Sequence, residues 1–178
     1  ILSENGVKAT FFELARNVVA LPVVVGRLKS AGMELANHSY SHAQLTKLDM
    51  QGLHKEIEQS SSDEARVFGF KPRFFRCPYG AGVSNPVIRQ MIANQGMIHV
   101  FWNVDTLDWQ DKNPQSVFER TKKQMQAEKK GVILYHDIHP QTVEATKILM
   151  DYARSLRGTP SEIRWKSLEG IVQELNGR

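Results

Sequence analysis

Short apolar segments alternate with longer amphipathic segments along most of the chain. The short segments are apolar without regular alternation, which predicts buried strands. The longer segments place apolar residues three and four positions apart, which predicts helices. The predicted strands are residues 8–14, 33–37, 73–76, 97–104, 131–135 and 163–166, and the predicted helices are residues 22–30, 50–68, 84–95, 114–128, 141–156 and a last one opened by Ser167. This alternation predicts an α/β fold with a parallel sheet, arranged as a barrel or as a doubly wound sheet.

The first five residues are predicted to be the last turn of a helix that ends at Gly6. No helix start signal precedes this turn. If the sheet closes as a barrel, one strand and most of one helix are therefore expected upstream of Ile1. A leader peptide would have been removed with that segment, so the sequence says nothing about the compartment.

The composition is typical of a globular protein and excludes several classes. The chain has 178 residues, 41% hydrophobic and 24% charged, which suits a single domain over residues 1–178. Its longest uncharged apolar run, residues 17–26, has about half the length of a membrane span and is interrupted by Pro22. The single cysteine, Cys77, excludes an internal disulfide and a cysteine-built zinc site. A net charge of +4 with both signs scattered favours a solvated surface over a nucleic-acid patch.

Two polar motifs follow the second and third predicted strands. The first motif, His-Ser-Tyr-Ser-His, begins at His38 and ends at His42. Two imidazoles four residues apart can bind one metal ion. The chain has six histidines, so this spacing can also arise by chance. In the second motif, Phe-Arg-Cys-Pro-Tyr-Gly, the proline and glycine fix a tight turn, and Arg76 can pair with a carboxylate. Taken alone, this second motif is more simply an ordinary loop with a surface arginine.

Two further motifs follow the next strands. The aspartates of Asp-Thr-Leu-Asp-Trp, Asp105 and Asp108, can orient a histidine, bind a metal or cap a turn. His136 leaves a predicted strand in Leu-Tyr-His, as a candidate general acid or as a packed, hydrogen-bonded histidine. His54 is expected on an exposed helix face and His99 in the core. All four motifs follow the carboxyl ends of strands, where parallel α/β folds place their chemistry.

In this order the four motifs resemble the polysaccharide deacetylase family, the NodB-homology domain of carbohydrate esterase family 4. The opening stretch Glu-Asn-Gly-Val-Lys-Ala-Thr-Phe-Phe is also similar to that family, and the resemblance covers nearly the whole chain. It implies an irregular (β/α) barrel whose first strand is missing from this chain. It also implies hydrolysis of N-acetyl groups on amino sugars with a divalent metal, usually zinc.

The resemblance assigns the metal and the oxyanion to the first two motifs. His38 and His42 are implied metal ligands. The metal would polarise the acetamide carbonyl and lower the pKa of its water. The backbone N–H of Tyr79 is implied to stabilise the tetrahedral oxyanion, and Arg76 to hold the catalytic base.

The remaining roles fall on the last two motifs. His136 is implied to be the general acid that protonates the leaving amine, and Asp108 to orient it and keep it charged. Leu134 and Trp109 are implied to wall the pocket for the acetyl methyl, with Pro78 as a further substrate-binding residue.

This sequence departs from the family pattern in two places. The family usually has Arg-Pro-Pro-Tyr, whereas Cys77 stands at the first proline here and Pro78 remains. The family's motif Thr-Phe-Asp-Asp-Gly, which supplies the base and the third metal ligand, is expected upstream of Ile1. The chain contains no Asp-Asp pair, so on its own it is expected to be inactive or nearly so.

Other interpretations remain open at this point. A degenerate family member would bind glycans without turnover, although His136, Asp108 and Arg76 would then have no chemical purpose. A deacetylase-fold hydrolase of a small cyclic amide would depart from the standard motifs. A nucleic-acid-binding module would need a basic stripe that the sequence lacks.

The resemblance leaves the acetylated polymer undefined. Peptidoglycan, chitin oligomers and exopolysaccharide all present N-acetylglucosamine. By family resemblance we expect a cell-envelope location, periplasmic or secreted, and a mildly basic surface suits an anionic cell wall. We expect no membrane span in this stretch and no nucleic-acid partner. Histidine ligands combined with a carboxylate favour zinc over magnesium.

Overall fold

A computed structural model describes residues 1–177, and the chain divides into two compact units. The larger unit comprises Lys8–Val100 together with the C-terminal residues from Lys166 onward. The smaller unit comprises Ile1–Val7 and Phe101–Trp165. Within residues 1–177, none of the helices combines the length and apolar character that a bilayer span requires.

The larger unit is built on a parallel four-stranded sheet whose strands lie side by side in chain order. Its register pairs Phe11 with Leu35, and Asn37 with Phe75. The strands are β1 (Thr10–Glu13), β2 (Glu34–Asn37), β3 (Phe74–Phe75) and β4 (Ile98–His99). The helices of this unit are α1 (Ala15–Ala20), α2 (Pro22–Ser30), α3 (Met50–Leu53), α4 (Ser60–Phe68), α5 (Pro86–Asn94) and α8 (Leu168–Asn176).

Apolar side chains of these helices pack in two clusters. One contains Val18, Val25, Leu35 and Phe68, with Phe11 packed against it. The other surrounds Ile57 and contains Leu45, Leu53, Phe75, Cys77, Ile88, Met91, Ile92 and Met97. Each cluster joins residues from a strand with residues from helices, so apolar burial holds the strands and their following loops in place.

The smaller unit contains one parallel strand pair and two long helices. The strands are β5 (Val104–Asp105) and β6 (Ile133–Leu134), and the helices are α6 (Pro114–Glu128) and α7 (Pro140–Ser155). Asn113 begins α6, because its side chain accepts a hydrogen bond from the backbone N–H of Ser116. The core of this unit is formed by Val7, Phe118, Leu149 and Met150.

The predicted α/β class with parallel strands is confirmed, but three predicted elements differ. Residues 97–104 form two strands, β4 and β5, in different sheets. Between them the rings of Phe101 and Trp102 stack at 4.3 Å, whereas neighbouring side chains in a strand point to opposite faces. Residues 163–166 do not form a strand, since Trp165 packs against the core without ladder pairing. The third difference is in the predicted helix 50–68.

That helix contains a π-helical turn at His54–Gln59, between α3 and α4. A π-helical turn inserts extra backbone into a helix and changes which side chains face inward. Here it buries both Glu56 and Ile57. The predicted helix 84–95 begins later, as α5, where the side chain of Asn85 accepts from Val87 N and Ile88 N.

Candidate functional site

The His-Ser-Tyr-Ser-His motif forms a loop after β2, which we call the histidine loop (residues 38–42). Every backbone N–H in this loop has an acceptor in the larger unit. The donor and acceptor pairs are His38 N to Glu13 O (2.8 Å), Ser39 N to Asn37 Oδ1 (2.7 Å), Tyr40 N and Ser41 N to Glu56 Oε2 (3.0 and 2.9 Å), and His42 N to Ser39 Oγ (3.1 Å). The loop is therefore fixed by specific acceptors and not by sheet pairing.

Backbone strain is concentrated in the motif loops. Five non-glycine residues in the described part of the chain have left-handed backbone conformations, and four of them lie in motifs. They are Ser39 (φ 73°), His42 (φ 70°), Tyr79 (φ 59°) and Leu107 (φ 51°). Such conformations cost about 1–3 kcal/mol each and persist only where the surroundings enforce them. Such clustering is typical of functional loops, and sequence reasoning did not predict it.

The two histidines of the loop lie side by side. Their ring centroids are 4.8 Å apart, with an interplanar angle of 75°. His38 Nδ1 lies 2.8 Å from the carbonyl oxygen of Arg76, and only a protonated Nδ1 can donate to that acceptor. The neutral ring therefore carries its proton on Nδ1, which leaves the Nε2 lone pair to bind a metal.

The histidine pair fits part of a metal site. Imidazole nitrogens suit zinc and other transition metals, and the second hydrogen bond on His38 is typical of a ligating histidine. Within residues 1–177, no group of three or more His, Cys, Asp or Glu side chains is arranged to hold a metal ion.

Arg76 is a buried residue, so the interpretation as a surface arginine is wrong. Its side chain is 7% exposed, and its guanidinium lies 4.1 Å from the ring centroid of Phe12. Arg76 Nε also donates to Val100 O at 3.4 Å. Burial lowers the pKa of Arg76 to about 10, so it remains charged at neutral pH. A buried cation beside the histidine loop can hold a carboxylate there.

Three further residues of the second motif are two buried residues and one aromatic residue whose ring contacts the histidine loop. Pro78 is buried, and the Tyr79 ring contacts His42 with a centroid distance of 4.6 Å. Cys77 is also buried, which raises the pKa of its thiol to about 12. The thiol is therefore protonated, and Cys77 packs in the apolar cluster around Ile57.

In the smaller unit, the buried Asp108 holds the half-buried His136, and we call these two residues the acid pair. Asp108 Oδ1 lies 2.8 Å from His136 Nδ1, while Asp108 Oδ2 accepts from His136 N (2.6 Å) and Thr142 Oγ1 (2.5 Å). Gln141 Nε2 holds the backbone oxygen of Asp108 at 2.7 Å. Burial opposes ionisation, but the hydrogen bonds from His136 and Thr142 prevail and lower the pKa of Asp108.

The other residues of the last two motifs have distinct surroundings. Leu134 is buried at the end of β6, and Trp109 is half exposed. Asp105 Oδ1 accepts from Leu107 N at 3.1 Å, so the turn-capping interpretation holds for Asp105 and not for Asp108. His99 was predicted in the core but is only half-buried; its Nε2 accepts from Cys77 N, so the ring is hydrogen-bonded as predicted.

Sequence reasoning missed the residues that hold these motifs in place. Asn37 and Glu56 bind the histidine loop, and Thr142 and Gln141 bind Asp108. A weak signal exists for Glu56, because an acidic residue stands three positions after Leu53 and directly before Ile57, on the apolar face. The partners of such a residue are distant in sequence and cannot be read from it.

Comparison with known proteins agrees with this geometry. The family model described as polysaccharide deacetylase matches residues 1–100. The chain is 35% identical, over 178 residues, to the peptidoglycan-N-acetylglucosamine deacetylase PgdA of Listeria monocytogenes serotype 1/2a, covering 99% of this chain and 34% of that protein. It is 31% identical to a chitin deacetylase of Pestalotiopsis sp, covering 80% of this chain and 49% of that protein. The solved structure of the T48 deacetylase with substrate superposes with a TM-score of 0.81 at 29% identity, covering 97% of this chain and 81% of that one.

Strained loops after parallel strands, a histidine pair and a buried aspartate that holds a histidine are typical of an α/β fold of the carbohydrate esterase type. The chain belongs to the polysaccharide deacetylase family, carbohydrate esterase family 4. The fold class predicted from the motifs is thereby confirmed. The chain spans between a third and a half of the length of the two curated relatives named above.

Proposed function

We propose that this chain is part of a metal-dependent enzyme that hydrolyses N-acetyl groups of polysaccharides containing N-acetylglucosamine. The observation that carries the proposal is the acid pair. A buried aspartate that holds a histidine ring by its Nδ1 provides a general acid for a poor leaving group. A protein that only binds glycans has no chemical need for this arrangement.

The proposed roles in the larger unit concern the attacked carbonyl. His38 and His42 bind a divalent metal, for which we propose zinc, and its bound charge would polarise the acetamide. Arg76 holds the carboxylate of the catalytic base, since it is a buried and charged guanidinium. The backbone N–H of Tyr79, in a turn with left-handed φ, is proposed to donate to the oxyanion.

The proposed roles in the smaller unit concern the leaving group. As water adds to the amide carbon and the C–N bond breaks, the sugar nitrogen takes a proton from His136. Before this transfer, Asp108 stabilises the protonated His136 ring and keeps it oriented through Nδ1; the transfer leaves the ring neutral. Leu134 and Trp109 are proposed contacts of the acetyl methyl, and Pro78 is a further substrate contact.

The proposal assigns the catalytic base and the third metal ligand to residues outside this chain, in a Thr-Phe-Asp-Asp-Gly motif. It treats residues 1–178 as belonging to one deacetylase domain. Peptidoglycan is the first substrate to test, because the Listeria relative is a peptidoglycan deacetylase, and chitin oligomers are the second. A location at the cell envelope follows from a cell-wall substrate.

The test is acetate release from peptidoglycan and from acetylated chitooligosaccharides by the natural full-length protein, with zinc or cobalt added. Release that a chelator abolishes is the expected result. Glycan binding without acetate release would contradict the proposal and favour a degenerate glycan-binding member of the family.

Replacing His38 or His42 with alanine is expected to weaken zinc binding by at least about 10-fold, because each imidazole is a direct ligand. Affinity is measured by competition with a chromophoric chelator. His54→Ala is the matched control, since His54 pairs with Glu58 on the exposed face of the π-helical turn. Equal zinc affinity in the His38→Ala, His42→Ala and His54→Ala variants would remove the histidine loop from the metal site.

A further inference from the structure

The histidine loop is supported by one buried carboxylate from a distant segment. Glu56 is 4% exposed and lies on the π-helical turn. Its Oε2 accepts from Tyr40 N (3.0 Å) and Ser41 N (2.9 Å), and its Oε1 accepts from Ser41 Oγ (2.6 Å). Both carboxylate oxygens thus accept hydrogen bonds from the three residues that join His38 to His42.

The loop needs such support because its own conformation is strained. Ser39 and His42 have left-handed backbones, which cost non-glycine residues about 1–2 kcal/mol each. The segment between the histidines has no strand pairing of its own, and side chains accept from its amides. Without an acceptor at Glu56, two of these buried or half-buried amides would lose their partners, and the strain would be free to relax.

Glu56 lies on the inward face of the π-helical turn. Glu56 is buried next to Ile57, while Glu58 on the same turn pairs with His54 and stays partly exposed. One turn therefore carries one carboxylate that faces the loop and another that faces solvent. π-helical turns in helices are frequently found at functional sites.

We propose that Glu56 is a positioning residue, whose carboxylate holds the Tyr40 and Ser41 amides so that His38 and His42 can bind one divalent cation. The inference rests on the proposed function, because it takes the two histidines as metal ligands. Glu56 itself acts through the loop backbone and does not contact the cation.

The test compares cobalt binding and amide exchange in the full-length protein and its variants. Glu56→Ala is expected to weaken Co²⁺ binding by about 10–100-fold, the usual effect of removing a residue that holds the metal ligands in place. Glu56→Gln is expected to remain within a few-fold of wild type, because its oxygen can accept from both amides and its NH₂ can donate to Ser41 Oγ. Glu58→Ala is the matched control on the same turn, with no expected change.

Amide exchange without metal separates the two proposals. The amides of Tyr40 and Ser41 are expected to exchange faster in Glu56→Ala than in wild type or Glu58→Ala. Wild-type cobalt affinity and unchanged exchange in Glu56→Ala would overturn the inference. If the wild-type protein takes up no cobalt, the proposed function fails, and the exchange rates still decide whether Glu56 holds the loop.

Ser41→Ala covers the case in which Glu56→Ala does not fold. It removes only the hydroxyl contact to Glu56 Oε1, so cobalt affinity is expected to fall in the same direction but by less. An affinity equal to wild type in Ser41→Ala, with unchanged exchange at Tyr40, would count against the inference.

Discussion

Replacing Asp108 with asparagine is expected to lower kcat for acetate release by about 10²–10⁴-fold, the usual contribution of general acid catalysis. Asparagine keeps the shape of the side chain, and its oxygen can still accept from His136 N and Thr142 Oγ1. Its NH₂ group then faces His136 Nδ1 and forces that nitrogen to accept. The His136 ring therefore loses the neighbouring negative charge that stabilises its protonated form. It also loses the tautomer with a proton on Nδ1.

The effect is expected in kcat more than in KM, because the pair acts when the C–N bond breaks. The double variant with His136→Ala should be hardly worse than either single variant, since the two residues act as one unit. Asp137→Asn is the matched control, because Asp137 is an exposed carboxylate next to His136 in sequence. A normal kcat for Asp108→Asn, in protein of wild-type stability, would show that the pair is structural.

The sequence predicted the positions of the motifs better than the elements that hold them. Parallel strands end at the same edge of their sheet, so the loops after β2 and β3 were expected to meet. The structure brings them into contact through His38 Nδ1 and Arg76 O, and through the rings of His42 and Tyr79. Motif spacing alone sufficed for that inference.

Elements that depend on distant partners could not be predicted in the same way. Helix α1 begins where Ala15 N and Arg16 N donate to the carbonyls of Ser39 and Tyr40, a contact across the larger unit. The apolar period of residues 50–68 predicts a regular helix and contains no signal for the π-helical turn at His54–Gln59. Tertiary contacts decide both cases, and one sequence does not show them.

The burial of Glu64 is a further feature that periodicity did not predict, and it has a large expected effect on stability. Glu64 lies on α4 with 0% exposure, and among the described residues its carboxyl has no close hydrogen bond, only a weaker interaction with the Asn37 side chain that lowers its pKa less than burial raises it. Burial, with the nearby charge of Glu13, raises the pKa of Glu64 to about 10. The group is therefore neutral in the folded protein at pH 7 and ionised in the unfolded chain.

This difference determines how stability depends on pH. The ordinary pKa of Glu64 is 4.5, and the folded value is about 10. Between those pH values the folded state holds a proton that the unfolded state has released. The free energy of unfolding therefore falls as pH rises through this range, by up to about 1.4 kcal/mol per pH unit. Below pH 4.5 both states are protonated and this penalty is absent.

Replacing Glu64 with methionine is expected to raise the free energy of unfolding at pH 7 by about 2–3 kcal/mol, because an apolar side chain of similar length removes the buried carboxyl. The advantage should be small at pH 4.5 and should grow toward pH 9. Urea unfolding of both proteins at several pH values measures it. Glu58→Met is the matched control, since Glu58 is partly exposed and paired with His54.

The pH dependence of the stability gain in Glu64→Met distinguishes removal of a buried carboxyl from improved packing. Methionine could stabilise the core merely by filling space, but that gain would be the same at every pH. Only a carboxyl that is protonated in the folded state makes the difference between the variants grow with pH. A constant difference would mean that Glu64 is charged and partnered in the folded protein. A loss of stability in Glu64→Met at pH 9 would mean that the carboxylate of Glu64 supports the fold.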